Sequence, residues 1–343
     1  MISIKVKASK AYDVTVSQGF GDLRQVIECV KSGDKIAIIT DTNVEKIYLS
    51  SVIDTLEGFD VFVHTIEAGE SSKNLSTYCT LVQDIASDGL DRSDMIITLG
   101  GGVVGDIGAF VASTYLRGIR LVAIPTTLLS MIDSSVGGKT AVDLPIGKNL
   151  VGTFYQPNAV YINVSCIDTL PPRELMSGYG ELVKYAILDG SISVEDMKVL
   201  DASLIAKAVS IKRDIVEADE YEGGVRKLLN LGHTIGHAVE SLSNYSLSHG
   251  ECVVKGLKAI LDISSRYYSM DSGDYMEIDS IIRMLGHDCT IPYSADEVID
   301  YVYHDKKKKG DLIDIVLVKA RGEVEIVPMH IDELRRYLGE YQD

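Results

Sequence analysis

Apolar and polar positions along this chain fall into two regimes. Up to about residue 165, short β-branched runs at 36–40, 61–66, 95–99 and 121–124 each end in small or polar residues. Amphipathic patterns at 44–56, 75–88 and 105–115 lie between them with helical spacing. This alternation predicts a largely parallel sheet with helices packed on it, and such sheets bind ligands beyond the carboxyl ends of their strands. Residues 1–7 alternate like a further strand.

After Leu170-Pro171-Pro172-Arg173 the character changes. Long amphipathic patterns at 202–220 and 253–268 predict a mainly α-helical domain, with a small strand pair at 313–318 and 324–327. The expected organisation is an α/β, Rossmann-like domain over residues 1–168 and an α-helical domain over 169–343, with the active site in the cleft between them.

A length of 343 residues allows two domains and a sizeable core. The net charge of −17 argues against nucleic acid or an anionic membrane as a partner. It also repels phosphorylated substrates at long range, so any phosphate site must be a local basic pocket. The five cysteines show no CxxC pair, as expected of thiols in a reducing compartment. Residues 1–7 show no signal-peptide core, and no apolar run approaches the roughly 20 residues that span a bilayer. The cytoplasm is the expected location.

The candidate chemistry is concentrated in a few segments. In Asn230-Leu231-Gly232-His233-Thr234-Ile235-Gly236-His237, two histidines stand four apart and share a helix face, and His249 follows in Ser248-His249-Gly250-Glu251. Imidazoles converging with a carboxylate make a zinc-type site, catalytic if a position stays open. Glu181, in Gly180-Glu181-Leu182-Val183-Lys184, is either the hard ligand of that site or half of a surface ion pair with Lys184.

Gly100-Gly101-Gly102-Val103-Val104-Gly105 follows an expected strand and opens an expected helix, as a dinucleotide turn does. The usual acid about 20 residues later is missing, and Asp41, at the end of an earlier strand, is placed to serve ribose hydroxyls instead. Gly137-Gly138-Lys139-Thr140 is no P-loop, because Asp133 stands where that loop needs glycine. What remains is a lysine on a glycine turn, with Lys148 and Asn149 nearby, a set that suits an anion.

Together these blocks resemble the 3-dehydroquinate synthase family of the sugar-phosphate cyclase superfamily. The resemblance runs from Asp41-Thr42-Asn43 to Asp305-Lys306-Lys307 and includes Pro125-Thr126-Thr127-Leu128-Leu129 and Gly147-Lys148-Asn149. It implies metal ligands at Glu181, His233 and His249, and it moves His237 from the ligand set to the substrate phosphate. It implies NAD contacts at Asp41, Asn43, Glu70, Lys73, Asp106, Thr126 and Thr127. Further NAD contacts fall on Gly101, Gly102, Val103, Lys139, Lys148 and the stretch from Cys166 to Thr169.

The same resemblance implies substrate contacts at Asp133, Lys139, Asn149, Lys184, Lys212, Arg226, Asn230 and His237. One of four tail lysines joins them, Lys306 being the first. Arg117 matches an arginine lent across a dimer interface, which implies a homodimer. Glu67 departs from the family's usual proline. The implied reaction converts 3-deoxy-D-arabino-heptulosonate 7-phosphate to 3-dehydroquinate, in the shikimate pathway. It runs by transient oxidation with NAD, β-elimination of phosphate, re-reduction and intramolecular aldol closure, with one divalent metal, zinc or cobalt. The alternatives are an inosose- or valiolone-type cyclase and a metal-dependent polyol dehydrogenase.

Overall fold

The computed structural model describes residues 1–30, 33–284, 286, 288–306 and 311–342, without the side chains of 304–306, so the side chain of Lys306 lies outside it. The chain forms two compact units. The first takes Met1–Leu170 and also Leu200–Tyr221; the second takes Pro171–Val199 and Glu222–Asp343. The first unit is therefore discontinuous. The helix Ala202–Ala218, expected with the second domain, packs on the first, and its Leu204, Ile205, Ala208 and Val209 are buried.

The main sheet of the first unit has seven strands in the order β1-β2-β9-β6-β5-β3-β4. They are β1 Ile2–Lys7, β2 Ala11–Ser17, β3 Lys35–Asp41, β4 Asp60–Ile66, β5 Met95–Gly100, β6 Arg120–Pro125 and β9 Ala159–Asn163. Only the β1–β2 pair is antiparallel. Alternate residues of the central strands feed opposite cores. Ala37, Ile39 and Ile96 pack with residues of the helices Leu75–Ser87 and Gly102–Thr114. Ile36, Ile38, Met95 and Ile97 pack with Leu23 and Ile27 of the helix Leu23–Val30. Full burial of each Ile, Leu or Met side chain contributes about 1.5–3 kcal/mol, and β5, covered on both faces, is buried at every position.

Strand β3 connects to β4 on one side, whereas β5 connects to β6 on the other, so the topological switch lies between β3 and β5. The expected helix at 44–56 is a continuous helical run whose pitch changes from wide (Glu45–Leu49) to tight (Asp54–Leu56). A separate antiparallel hairpin joins β7 Lys139–Leu144 to β8 Gly147–Phe154. Lys139, expected on a glycine turn, therefore stands on a strand, as does Lys148.

The second unit is built on the helices Pro172–Asp189, His233–Leu242 and His249–Tyr268, with the hairpin β10 Leu312–Ala320 and β11 Glu323–His330. Among the described residues no helix is long and apolar enough to cross a membrane.

Candidate active site

Glycines set the spacing of the three helices that carry the histidine site. A methyl group at Gly180 would overlap the backbone of Gly250, and one at Gly250 would overlap the Ser177 carbonyl. One at Gly256 would overlap the Gly232 carbonyl. The helices thus meet backbone to backbone, closer than any side chain would allow, at the level of Glu181, His233 and His249.

The result is a single focus. Glu181 Oε1 lies 3.1 Å from His233 Nε2 and 3.2 Å from His249 Nε2. The other nitrogen of each ring is also held: His233 Nδ1 lies 3.0 Å from the Leu231 carbonyl, and His249 Nδ1 lies 3.2 Å from Glu240 Oε2. A neutral imidazole that donates from Nδ1 carries a lone pair at Nε2. Two such lone pairs and a carboxylate oxygen then converge, an arrangement that needs a proton or a cation at its centre. Ligands about 2.1 Å from a zinc ion at tetrahedral angles sit roughly 3.4 Å apart, close to the spacing found. The donor set fits a divalent metal.

Charges around the focus agree with that reading. Glu181 and Lys184 are buried and ion-paired through Glu181 Oε2, which excludes the surface-pair alternative. Burial opposes the Glu181 charge, but Lys184 and His233 hold its carboxyl well below the usual carboxylate range. Burial would lower the His249 pKa, yet Glu181 and Glu240 push it up to about 10. His237 lies with His233 and His249, their ligand nitrogens within 4.8 Å of one another. His237 is exposed where His233 is buried, and it lines a cavity with Asn230, Thr234 and Tyr301. Arg226 is fully buried in the same unit, and Asn230 Nδ2 donates to Glu222 Oε1 at 2.8 Å.

In the first unit a second constellation gathers beyond the strand ends. Lys73 Nζ pairs with Asp106 Oδ2 at 2.7 Å, donates to Asn149 Oδ1 at 2.5 Å and lies 3.8 Å from Glu70 Oε1. Burial disfavours its charge, but Asp106 and Glu70 outweigh that and raise its pKa. Lys148 Nζ lies 3.7 Å from the same Glu70 oxygen. The hairpin is tied to this turn, since Asp143 N donates to the Lys73 carbonyl at 2.8 Å and Asn149 N to Asp143 Oδ1 at 2.7 Å.

The glycine turn closes the edge. Gly101 caps the helix Gly102–Thr114, whose first amides are a ready anion site. Thr126 N donates to the Gly100 carbonyl at 3.0 Å, and Thr127 Cγ2 packs where a Gly101 side chain would stand. Val103 follows in the first turn of that helix. Asp41 Oδ1 accepts from the amides of Asn43 and Val44, at 2.9 and 3.0 Å, which fixes the carboxylate at the β3 end beside the switch point. Cys166 is buried with its thiol pushed up to about 12, so it offers no thiolate; its carbonyl accepts from Thr169 Oγ1 at 3.2 Å. Lys212 pairs with Asp133 Oδ1 at 2.8 Å, both in the first unit. Arg117 stands apart, exposed in a turn where Leu116, Arg117 and Gly118 all have positive φ (51°, 62° and 116°).

The structure thus gathers Glu181, His233, His237 and His249 in one unit, and Glu70, Lys73, Asp106, Lys148 and Asn149 in the other. Sequence reasoning misses Glu240 and Asp143, which hydrogen-bond to His249 and Asn149. Glu240 carries a signal, lying seven residues after His233 on the same helix face.

Comparison with known proteins agrees along almost the whole chain. Residues 63–177 match the 3-dehydroquinate synthase N-terminal family, and residues 178–308 match the 3-dehydroquinate synthase C-terminal family. A 3-dehydroquinate synthase of Latilactobacillus sakei subsp. sakei (strain 23K) is 43% identical, covering 98% of this chain and 97% of its own. One of Alkaliphilus metalliredigens (strain QYMF) is 41% identical over 94% of each chain. The fold is shared with a 2-deoxy-scyllo-inosose synthase complexed with carbaglucose-6-phosphate, NAD+ and Co2+ (TM-score 0.87, 24% identity, 99% of each chain). It is shared also with a 2-epi-5-epi-valiolone synthase from Streptomyces hygroscopicus subsp. jinggangensis 5008 with NAD+ and Zn2+ bound (TM-score 0.84, 24% identity, 98% of this chain and 99% of that one). By its sequence along both units, this chain belongs to the 3-dehydroquinate synthase family.

Proposed function

We propose that this chain converts 3-deoxy-D-arabino-heptulosonate 7-phosphate to 3-dehydroquinate and phosphate, with NAD used catalytically and one divalent metal, zinc or cobalt. The observation that carries the reading is the convergence of Glu181 Oε1 with the Nε2 atoms of His233 and His249, in a chain of this family. When bound, the metal supplies Lewis-acid polarisation of a carbinol and NAD supplies a hydride acceptor that returns what it takes.

The chain's own residues do the rest. Glu181, His233 and His249 hold the metal, and Lys184 neutralises and orients the second Glu181 oxygen. Asp41 at the β3 end and the amides after Gly101 hold the nucleotide, with Lys73 and Asp106 fixing the turn beside it. Lys139, Asn149 and His237 take the phosphate through charge-assisted hydrogen bonds, and His237 relays a proton at its imidazole. The Arg226 guanidinium matches the substrate carboxylate as a two-pronged donor, with Lys212 as a second charge. Arg117, exposed on its left-handed turn, completes the site of a partner subunit in a homodimer.

The test is phosphate release from the seven-carbon substrate with catalytic NAD, before and after chelation. Metal-dependent release, no net NADH and 3-dehydroquinate as product are expected. Release only from a hexose or heptulose phosphate would reassign the substrate; net NADH from a simple polyol would reassign the reaction.

A further inference from the structure

We infer that Glu240 is a positioning residue for the metal centre, setting its affinity through His249. The inference rests on the metal reading above and concerns how tightly the site holds its ion.

The geometry is asymmetric. His233 presents Nδ1 to a neutral acceptor, the Leu231 carbonyl, at 3.0 Å. His249 presents Nδ1 to a carboxylate, Glu240 Oε2, at 3.2 Å, and that side chain is only 12% exposed. A carboxylate behind a metal-binding imidazole fixes the ring, keeps the proton on Nδ1 and raises the basicity of Nε2. Of the two histidines, only His249 has this arrangement, although its side chain is the more open, at 28% exposed against 11% for His233.

The backbone holds both members of the pair. His249 begins its helix, and Ser248 fixes that start with a reciprocal cap: Ser248 N donates to Glu251 Oε2 at 2.7 Å, and Glu251 N donates to Ser248 Oγ at 3.4 Å. Glu240 sits in the last turn of His233–Leu242, where its carbonyl accepts from Ser243 Oγ at 2.7 Å and Tyr245 N at 3.1 Å. Between the helices Asn244 and Tyr245 both take positive φ, 48° and 61°. This tight reversal brings the end of one helix against the start of the next, which sets the carboxylate behind the ring.

The test uses metal-free full-length protein titrated with Zn2+ against a competing chelator, and with Co2+ read by visible absorption. Glu240→Ala should weaken metal binding about 10–100-fold and move the Co2+ absorption bands, while the metal-free melting temperature stays near that of the parent. Glu240→Gln retains an acceptor for Nδ1–H but not the charge, and should fall between the parent and Glu240→Ala. A folded Glu240→Ala protein with the parent's affinity and bands overturns the inference. If that variant does not fold, Glu240→Gln with parental affinity overturns it instead. A parent chain that binds neither ion overturns the metal reading itself, an outcome separable from the first.

Discussion

Lys184 is the counter-ion of Glu181, and the two side chains are 1% and 0% exposed. A carboxylate in that position cannot turn to water, so its charge is balanced by Lys184, by the histidines or by a metal. Removing one partner of a buried ion pair typically costs about 3–5 kcal/mol, because the other charge is left uncompensated. Lys184→Met should therefore destabilise the metal-free protein by roughly that amount. Saturating Zn2+ should recover part of the loss, since the cation compensates the same carboxylate. Urea melts with and without metal measure both. Equal destabilisation in the two states would mean that Glu181 is not the oxygen ligand.

The histidines should separate by function. His249→Ala should lose metal on dialysis, whereas His237→Ala should keep it and lose turnover. Metal content by atomic spectroscopy, measured beside phosphate release, decides the matter. Equal metal loss in both variants would place His237 among the ligands, as the i, i+4 spacing alone suggests.

Arg117 allows a complementation experiment. If it serves the neighbouring subunit's site, Arg117→Ala and His249→Ala are each inactive alone but regain activity when their subunits are exchanged. The mixed dimer then holds one site with an intact metal set and a partner-donated arginine. No recovery after verified subunit exchange would confine Arg117 to its own subunit.

Lys10 gives the pH dependence. Its ammonium lies 2.6 Å from Asn158 Oδ1, and burial together with nearby Arg120 lowers its pKa from 10.5 to about 8. Between those values the unfolded chain holds a proton that the folded chain has released. Stability therefore rises with pH through that window. Denaturant melts across the window should show this gain in the parent and not in Lys10→Met. Lys10 should also acylate ahead of exposed lysines near pH 8, which mass spectrometry of briefly acetylated protein would reveal.

The parallel sheet is legible in the sequence because β3, β5 and β6 are covered on both faces, so their apolar runs are nearly unbroken. The hairpin β7–β8 is not. Most of β8 is exposed, and the adjacent polar pair Lys148 and Asn149, followed by the adjacent apolar pair Leu150 and Val151, breaks the alternation that marks a strand. The histidine site is legible by helical spacing for His233, but the carboxylate that joins it is not. Glu181 lies on a helix far away in sequence, and an i, i+3 Glu–Lys pair looks the same on a solvated face as in a core. Only the glycines that let three helices touch distinguish the two cases. Resemblance to the family supplies what spacing cannot.

The return of Leu200–Tyr221 to the first unit has a consequence for how the molecule is made. A ribosome that has released residue 170 has delivered every strand of the seven-stranded sheet, yet not the helix Ala202–Ala218 that packs beside β1 and β2. N-terminal domains commonly fold as units during synthesis, but this one must wait with an apolar face uncovered while part of the second unit emerges. Arrested nascent chains ending at Leu170 should be cut readily by protease, and those extended well past Tyr221 should resist it.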